Sequence, residues 1–442
     1  MKGIEFEEGI EIALDSLLNN RLAVLCGAGL SMAPPSALPS AAALAAQAKQ
    51  AYDAKYGGIR EPLPAGIEEQ AEFFFKRKEL ATVYLRSLID PNAFAGRPNP
   101  GHHAVADLLL VRGIQAAVTT NVDCMVETAG QLLFGQIGMG MDGHQLAKLP
   151  AGTAPYLKIH GCRTQDLDNT VWAPGQLTIE PVAGRIASSE EWLRINLLDR
   201  DLVIVGYWSD WSYLNGILER TLGAVRPSRV IVVDPADNAT FETKAPALYA
   251  LGQRATSEFH HVAASGSDFL DRLRLEFSKS FVRRVLWSGK EAYAETTGNA
   301  PDDDWLTAPE IDNDALWLAR RDLEGRRPGK PACDRDPPQE ALLGLTLIQL
   351  RAGGATPDGS YWSMDGRRIR VLRTPNQALH RVKAEFERET APAVAPDIVI
   401  AVGSETQALP SDIVRDGTTP TIIRSSPSRW LTRSEAVEEL KL

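Results

Sequence analysis

Three short stretches carry side chains suited to chemistry, and each follows an apolar run. "GAGLS", Gly27 to Ser31, follows "RLAVLC"; Thr119, Thr120, Asn121 and Asp123 follow "GIQAAV"; His160 and Gly161 follow "YLKI". Glycines in a turn of the first kind let the backbone approach a phosphate, and the helix start beyond them supplies oriented N–H donors. An amide and a carboxylate at a strand-to-helix switch serve either as caps for first-turn N–H groups or as fixed partners for a ligand. An imidazole titrates near neutrality and accepts a proton at physiological pH, although a strand-end histidine also suits burial against the backbone. Taken together, a turn for a pyrophosphate, an amide with a carboxylate, and an imidazole describe a cleft fit for a dinucleotide.

Such a cleft needs its three contributors to leave one sheet at one edge. Apolar runs at 21–26, 113–118, 156–160, 201–206 and 228–234 read as short buried strands. Helical patterns separate them at 36–56, 66–88, 99–113 and 209–225, and residues 266–284 read as a closing helix. This alternation predicts the α/β class, a Rossmann-like, mostly parallel sheet with helices on both faces, plus a smaller C-terminal α/β domain. Ligands of such sheets bind where loops leave the carboxyl ends of the strands. Those ends are 26–29, 119–123, 160–161 and 206–210, where the glycines and polar residues collect. Phe73, Phe74 and Phe75 read as core or lid-packing residues. Glu190 and Glu191 read as first-turn residues of a helix through Trp192. Cys124 reads as a small core hydrophobe, with no paired base apparent.

The expected organisation is a nucleotide-binding and catalytic domain over 1–285, a linker or peripheral segment over 286–335 and a small α/β regulatory or interaction domain over 336–442. The linker expectation rests on "TTGNAPDDDW" and "EGRRPGKPACDRDPPQ", and the basic residues Arg321, Arg326, Arg327 and Lys330 within it read as solvated. The 442 residues carry a formal charge of −10, 44% hydrophobic and 24% charged residues, the profile of a globular chain without a general basic surface for nucleic acid. The four cysteines form no CxxC pair, which argues against a disulfide framework and a four-thiolate zinc site. Five acids among the first fifteen residues do not suit a secretory leader, and no apolar run has the length of a membrane span. A cytoplasmic, reducing setting is therefore expected.

The ordered series GAGLS, TTNVD, KIHG, VGY and IVVD resembles the Sir2 (sirtuin) superfamily over roughly residues 15–280. The resemblance implies NAD+ as substrate and cleavage of its nicotinamide–ribose bond. It implies that Gly27, Ala28 and Ser31 hold the pyrophosphate and adjoining ribose, Asn121 the nicotinamide ribose and Asp123 the carboxamide. It further implies His160 as the catalytic histidine, with Asn121 beside it, and Gly206, Ser209 and Asp234 on the adenosine half. The four-cysteine zinc module of the deacylases has only Cys162 in its region, so no metal is expected. "MAPPSALPSAAAL" is closer to the bacterial Sir2-like antiphage effectors, and "GYWSDWSY" is similar to their GYSxxD element with Trp208 in place of a serine. The implied activity is NAD+ glycohydrolysis for antiviral defence. The alternatives are an NAD-dependent protein deacylase, an ADP-ribosyltransferase, or a non-enzymatic NAD-sensing scaffold. The implied partners are further copies of the chain and a defence component such as a HerA-type ATPase or a short Argonaute; direct nucleic-acid binding is left open.

Overall fold

The computed structural model describes residues 2–206, 227–253, 258–332, 339–386, 395–404 and 428–442. The chain forms two compact units, Met1–Leu273 and Arg274–Leu442. In the first, eight strands make one sheet: β1 (Lys2–Gly3), β2 (Leu22–Cys26), β3 (Ala116–Thr119), β4 (Gly138–Gly140), β5 (Pro155–Lys158), β6 (Asp201–Val205), β7 (Arg229–Asp234) and β8 (Glu258–Ala263). Their order is β1-β8-β7-β6-β2-β3-β5-β4, and every pairing is parallel. From β2 the chain passes to β3 beside it, out to β4 at the edge and back to β5, then crosses to β6 on the other side of β2. The order therefore reverses between β2 and β6, which makes their carboxyl ends the expected binding crevice of this Rossmann-like sheet.

Every residue of "LAVLC" in β2 and "DLVIV" in β6 is buried, because helices cover both faces of the central strands. Leu25, Val118, Leu157, Ile204 and Val232 meet in the core on one face. Helix α1 (Phe6–Leu18) precedes β2, and α2 (Ala28–Met32) follows it directly. Next come α3 (Ala41–Tyr56), α4 (Ile67–Lys76) and a π-helix over Leu80–Leu88, which close around a core of their own. Phe74 is fully buried there and stacks on Tyr84 with ring centroids 5.2 Å apart, while Phe73 and Phe75 are partly buried at its edge. After these come α5 (Pro100–Leu110), α6 (Met125–Leu132), α7 (Gly143–Leu146) and α8 (Val182–Asn196). Helix α8 starts just after Pro181, eight residues before Glu190, so Glu190 and Glu191 lie in its interior rather than its first turn. The expected helix over 209–225 lies outside the described residues.

The second unit holds a five-stranded sheet in the order β13-β12-β11-β10-β9, from β9 (Thr356–Asp358), β10 (Tyr361–Met364), β11 (Arg367–Arg373), β12 (Ile398–Val402) and β13 (Arg429–Thr432). Its hairpin strands pair antiparallel and β11, β12 and β13 pair parallel, giving the expected small α/β architecture. Residues 286–332 are not a linker. The helix Gly266–Ser288 carries the chain from the first unit into the second, and helices follow at Lys290–Thr297 and Asn313–Leu323. Leu306, Leu316 and Leu323 from this stretch join Ile348, Ile369 and Ile400 in the core. Its glycines, prolines and aspartates supply turns and caps, such as Asp312 accepting from the Ala315 N–H, around helices too short to dominate the composition. Arg321 is likewise not solvated: it is 2% exposed and donates to the Lys330 carbonyl, while Arg327 and Lys330 are exposed. Among the described residues, no helix is long and apolar enough to cross a membrane.

One ion cluster holds the amino-terminal edge of the large sheet. The Asp201 carboxylate is buried, accepts from Ser16 Oγ at 2.6 Å and from Arg229 at 2.9 Å, and pairs with Arg21 at 3.1 Å. Burial alone would raise its pKa, but the Arg229 and Ser16 hydrogen bonds and both guanidinium charges hold it below the usual carboxylate value. A depressed pKa contributes stability that is present above the unfolded value and is lost as pH falls through the folded one. Asp201→Asn is expected to lower unfolding stability by about 2–3 kcal/mol at pH 7 in urea titrations, with the deficit shrinking as both proteins are taken below about pH 4.

Candidate functional site

At the switch point the backbones of two glycines touch. Gly27 N–H donates to the Val205 carbonyl at 2.9 Å and Gly29 N–H to the Gly206 carbonyl at 2.8 Å, so the turn after β2 is strapped to the end of β6. A Cβ on Gly29 would lie 2.7 Å from the Gly206 Cα, and one on Gly206, whose φ is +58°, would lie 2.3 Å from the Leu30 nitrogen. The glycines of GAGLS and VGY are thus required by this contact between two strand ends, whatever they also do for a ligand. Gly27 is buried at the start of α2, and Ala28 is exposed on its first turn.

Helix α2 carries Ser31 to the rim of β3, where it becomes the hub of a buried network. Its hydroxyl donates to Asp123 Oδ2 at 2.8 Å and accepts from Asn121 Nδ2 at 3.1 Å. The third partner is His102 Nε2 at 3.1 Å. His102 Nδ1 accepts the Asn99 N–H at 3.2 Å, so the ring hydrogen sits on Nε2 and points at Ser31. With two hydrogens received and one given, the Ser31 hydroxyl is saturated. The network also explains its own positioning. Asn99 caps α5 by accepting from the His102 N–H at 3.0 Å and donates to the Leu30 carbonyl at 2.6 Å, which fixes the imidazole against α2. Asp123 Oδ1 accepts the Met125 N–H at 3.0 Å and so anchors the start of α6. Asn121 N–H donates to Thr119 Oγ1 at 3.0 Å, leaving Asn121 Oδ1 buried with no hydrogen-bond partner among the described residues.

Of the two readings of Asn121 and Asp123, cap or ligand group, the cap is seen at Asp123, which anchors a helix, while the Asn121 carbonyl is buried without a partner among the described residues. His102 was not singled out by sequence reasoning. The signal for it was "NPGHH", a proline-initiated helix with a capping asparagine three residues before an imidazole. Burial lowers the His102 pKa to about 4, against the opposing charge of Asp123.

His160, at the end of the third strand, is 3% exposed and lies beside Thr120, whose carbonyl accepts from its ring. Gly161 follows at φ +89°, and a Cβ there would meet the Arg185 guanidinium of α8 at 3.1 Å. Burial first, and the Arg185 charge second, push the His160 pKa down to about 3. The imidazole is therefore neutral throughout the physiological range, a hydrogen-bonding group of low basicity rather than the near-neutral base that its residue type suggests. Asp234, at the end of β7, is 1% exposed and accepts the Ala236 N–H at 2.7 Å, which makes it the clasp of the following turn. Ser209 and Trp208 lie outside the described residues.

A second cluster adjoins the first on the far side of Asp123. Lys158 is fully buried; its ammonium donates to the Asp123 carbonyl and to Glu127 Oε1 at 2.7 Å, and lies 3.9 Å from Cys124 Sγ. Cys124 Sγ is 3.5 Å from Cys162 Sγ, and Thr164 Oγ1 is within 3.2 Å and 3.3 Å of the two sulfurs. Cys124 is half-buried in a charged setting and is not the core hydrophobe expected from its neighbours in sequence. The ligand-type atoms of Cys124, Glu127 and Cys162 lie within 4.8 Å of one another, but the Lys158 ammonium already sits among them as their cation.

No family model matches the sequence, and no curated protein matches it. Solved structures similar to the chain include a crystal structure of a Sir2 homologue–NAD complex, at 15% identity and TM-score 0.34, covering 60% of this chain and 91% of that one. A Sir2–p53 peptide–NAD+ structure is similar at 15% identity and TM-score 0.35, covering 60% and 98%. A Sir2 structure bound to a propionylated peptide is similar at 14% identity and TM-score 0.34, also covering 60% and 98%.

Because His102 and His160 are held neutral by burial, the unfolded chain takes up protons that the folded one refuses between about pH 6.5 and their lowered values. Stability is then full above pH 6.5 and falls as pH falls. Each is expected to remove about 2 kcal/mol between pH 7 and pH 5, read as a falling urea midpoint. A His102→Gln variant is expected to show a shallower fall than the parent.

Proposed function

We propose that this protein is an NAD+ glycohydrolase that releases nicotinamide and ADP-ribose, acting as an antiphage effector by depleting NAD+. The observation that carries the reading is the buried, unsatisfied Asn121 Oδ1 at the rim of the switch-point crevice. A buried carbonyl without a partner calls for a donor, and a ribose hydroxyl is one. The motif series GAGLS, TTNVD and KIHG supports the same substrate, and the reading gives each of its residues a task.

Ser31 locks the Asn121 amide, so the orientation of its carbonyl is set before any ligand arrives. Breaking the nicotinamide–ribose C–N bond builds positive charge on the ribose, and the carbonyl dipole of Asn121 together with the Asp123 carboxylate offsets it. Asp123 already accepts two hydrogens, and a carboxylate has lone pairs for a further amide N–H from the nicotinamide side. On this reading the neutral His160 ring donates to Thr120 and accepts from a water or a ribose hydroxyl at its other nitrogen. Addition of water to the ribose completes the reaction, with one proton released to solvent per NAD+ consumed. Gly27, Ala28, Gly206, Ser209 and Asp234 serve the phosphates and the adenosine half. On this reading the protein works in the cytoplasm as a homo-oligomer. A defence partner such as a HerA-type ATPase or a short Argonaute, or a nucleotide-derived signal, triggers it.

Chromatography of NAD+ incubated with the protein, alone and with lysate of phage-infected cells, is expected to show nicotinamide and ADP-ribose. Asn121→Ala and His160→Ala are each expected to lose about 10²-fold or more in turnover while keeping the parental unfolding midpoint to within a small shift. Intact NAD+ in both conditions, with the folded protein still binding it, would remove the hydrolase reading. Because His160 is neutral well below pH 6, the rate is expected to show no ascending limb near pH 6.5. A limb there that disappears in His160→Gln would contradict the neutral-acceptor role.

A further inference from the structure

The Cys124, Cys162, Lys158 and Thr164 cluster takes no part in the chemistry above, yet its composition suits a different one. Two thiols 3.5 Å apart need to close by about 1.5 Å to reach bonding distance. Cys124 opens the first turn of α6, and Cys162 lies two residues past His160, after the left-handed Gly161. The Lys158 ammonium, 3.9 Å from Cys124 Sγ, supplies the positive charge that favours a thiolate. Thr164 Oγ1 reaches both sulfurs and can donate to whichever bears the charge.

We propose that Cys124 and Cys162 form a reversible dithiol, closed by hydrogen peroxide to an intramolecular disulfide and reopened by thiol reductants. The 3.5 Å contact lets the two sulfurs share a proton when one of them is a thiolate. That sharing and the Lys158 ammonium acidify Cys162, while Cys124 holds the proton more tightly. Shifting the shared proton to Cys162 places the thiolate on Cys124, the more accessible of the two. Cys124 thiolate attacks one peroxide oxygen and the O–O bond breaks, giving Cys124 sulfenic acid and hydroxide. Cys162 sulfur then attacks the sulfenic sulfur, the S–O bond breaks, and the oxygen leaves as water with the thiol proton. In sum, one thiolate, one thiol and one peroxide give one disulfide, one water and one hydroxide, which takes its proton from solvent. Cys26 is outside this chemistry, being 1% exposed with its thiol pushed up to about 12 by burial and then by the Asp123 charge.

The bond would staple the segment that carries Asp123 to the turn that follows His160, and it would replace the thiolate beside Lys158 by a neutral group. It joins two strand-end loops otherwise held by hydrogen bonds, so the oxidised form should be the more rigid at the rim.

The full-length protein, reduced and freed of reductant, is exposed to equimolar hydrogen peroxide, alkylated and digested. The expected result is the loss of two alkylatable thiols, a Cys124–Cys162 linked peptide two hydrogens lighter than the reduced pair, and full recovery with dithiothreitol. In Cys162→Ser the reaction is expected to stop at a dimedone-reactive sulfenic acid on Cys124. The wild-type peptide map requires no variant to fold. Both thiols remaining alkylatable, or zinc retained stoichiometrically and shielding them, would overturn the proposal.

Discussion

The approach of Gly29 to Gly206 is the constraint on which the rest of the large unit depends. A 2.8 Å hydrogen bond joins their backbones, and neither position has room for a Cβ. The reversal of strand order between β2 and β6 creates a gap in the covering loops, and this contact fixes how wide that gap is at its floor. Because α2 begins on one side of the contact, its five residues deliver Ser31 to a fixed point over β3. A side chain at either glycine would push the turn away from the sheet and carry the serine with it. The two positions are thus one constraint expressed on strand ends almost 180 residues apart.

Beyond that floor, the rim is organised by a chain of buried hydrogen bonds. His102 is fixed by a helix cap, Ser31 by His102, and Asn121 by Ser31. Each link uses up a donor or an acceptor, so the chain of bonds closes on itself everywhere except at the Asn121 carbonyl. The burial that makes these hydrogen bonds strong also makes the imidazoles poor proton acceptors. The amino-terminal edge gathers Asp201 with two arginines, whereas at the rim burial outweighs the charge of Asp123 beside His102 and is reinforced by that of Arg185 beside His160.

Much of this was legible in the sequence because the central strands are buried on both faces and read as unbroken apolar runs. The parallel sheet, the edge where its polar loops collect, and the positions of Ser31, Asn121, Asp123 and His160 follow from where those runs end. Less legible were properties set by contacts distant in sequence. The basicity of His160 depends on Arg185, which sits on a helix whose start was obscured by a weakly patterned sequence. The partners of Cys124 are Lys158 and Cys162, one strand away and invisible to local spacing. His102 lies on a helix that the sequence does show, but its contact with Ser31 joins residues 71 positions apart. The apparent linker at 286–335 misled for another reason: its short helices are separated by capping and turn residues, whose polarity outweighs the few leucines that reach the core.

Lys158 is an amine with no exposed surface. Its ammonium bonds the Asp123 carbonyl and the Glu127 carboxylate, bridging the end of β5 to the start of α6. An acylating reagent in solvent meets this nitrogen only when those two elements part and the proton is lost. The labelling rate at Lys158 therefore counts rare openings of the rim, in the manner of a buried amide exchanging its hydrogen, and a bound ligand that held β3 and β5 together would slow it without touching the lysine.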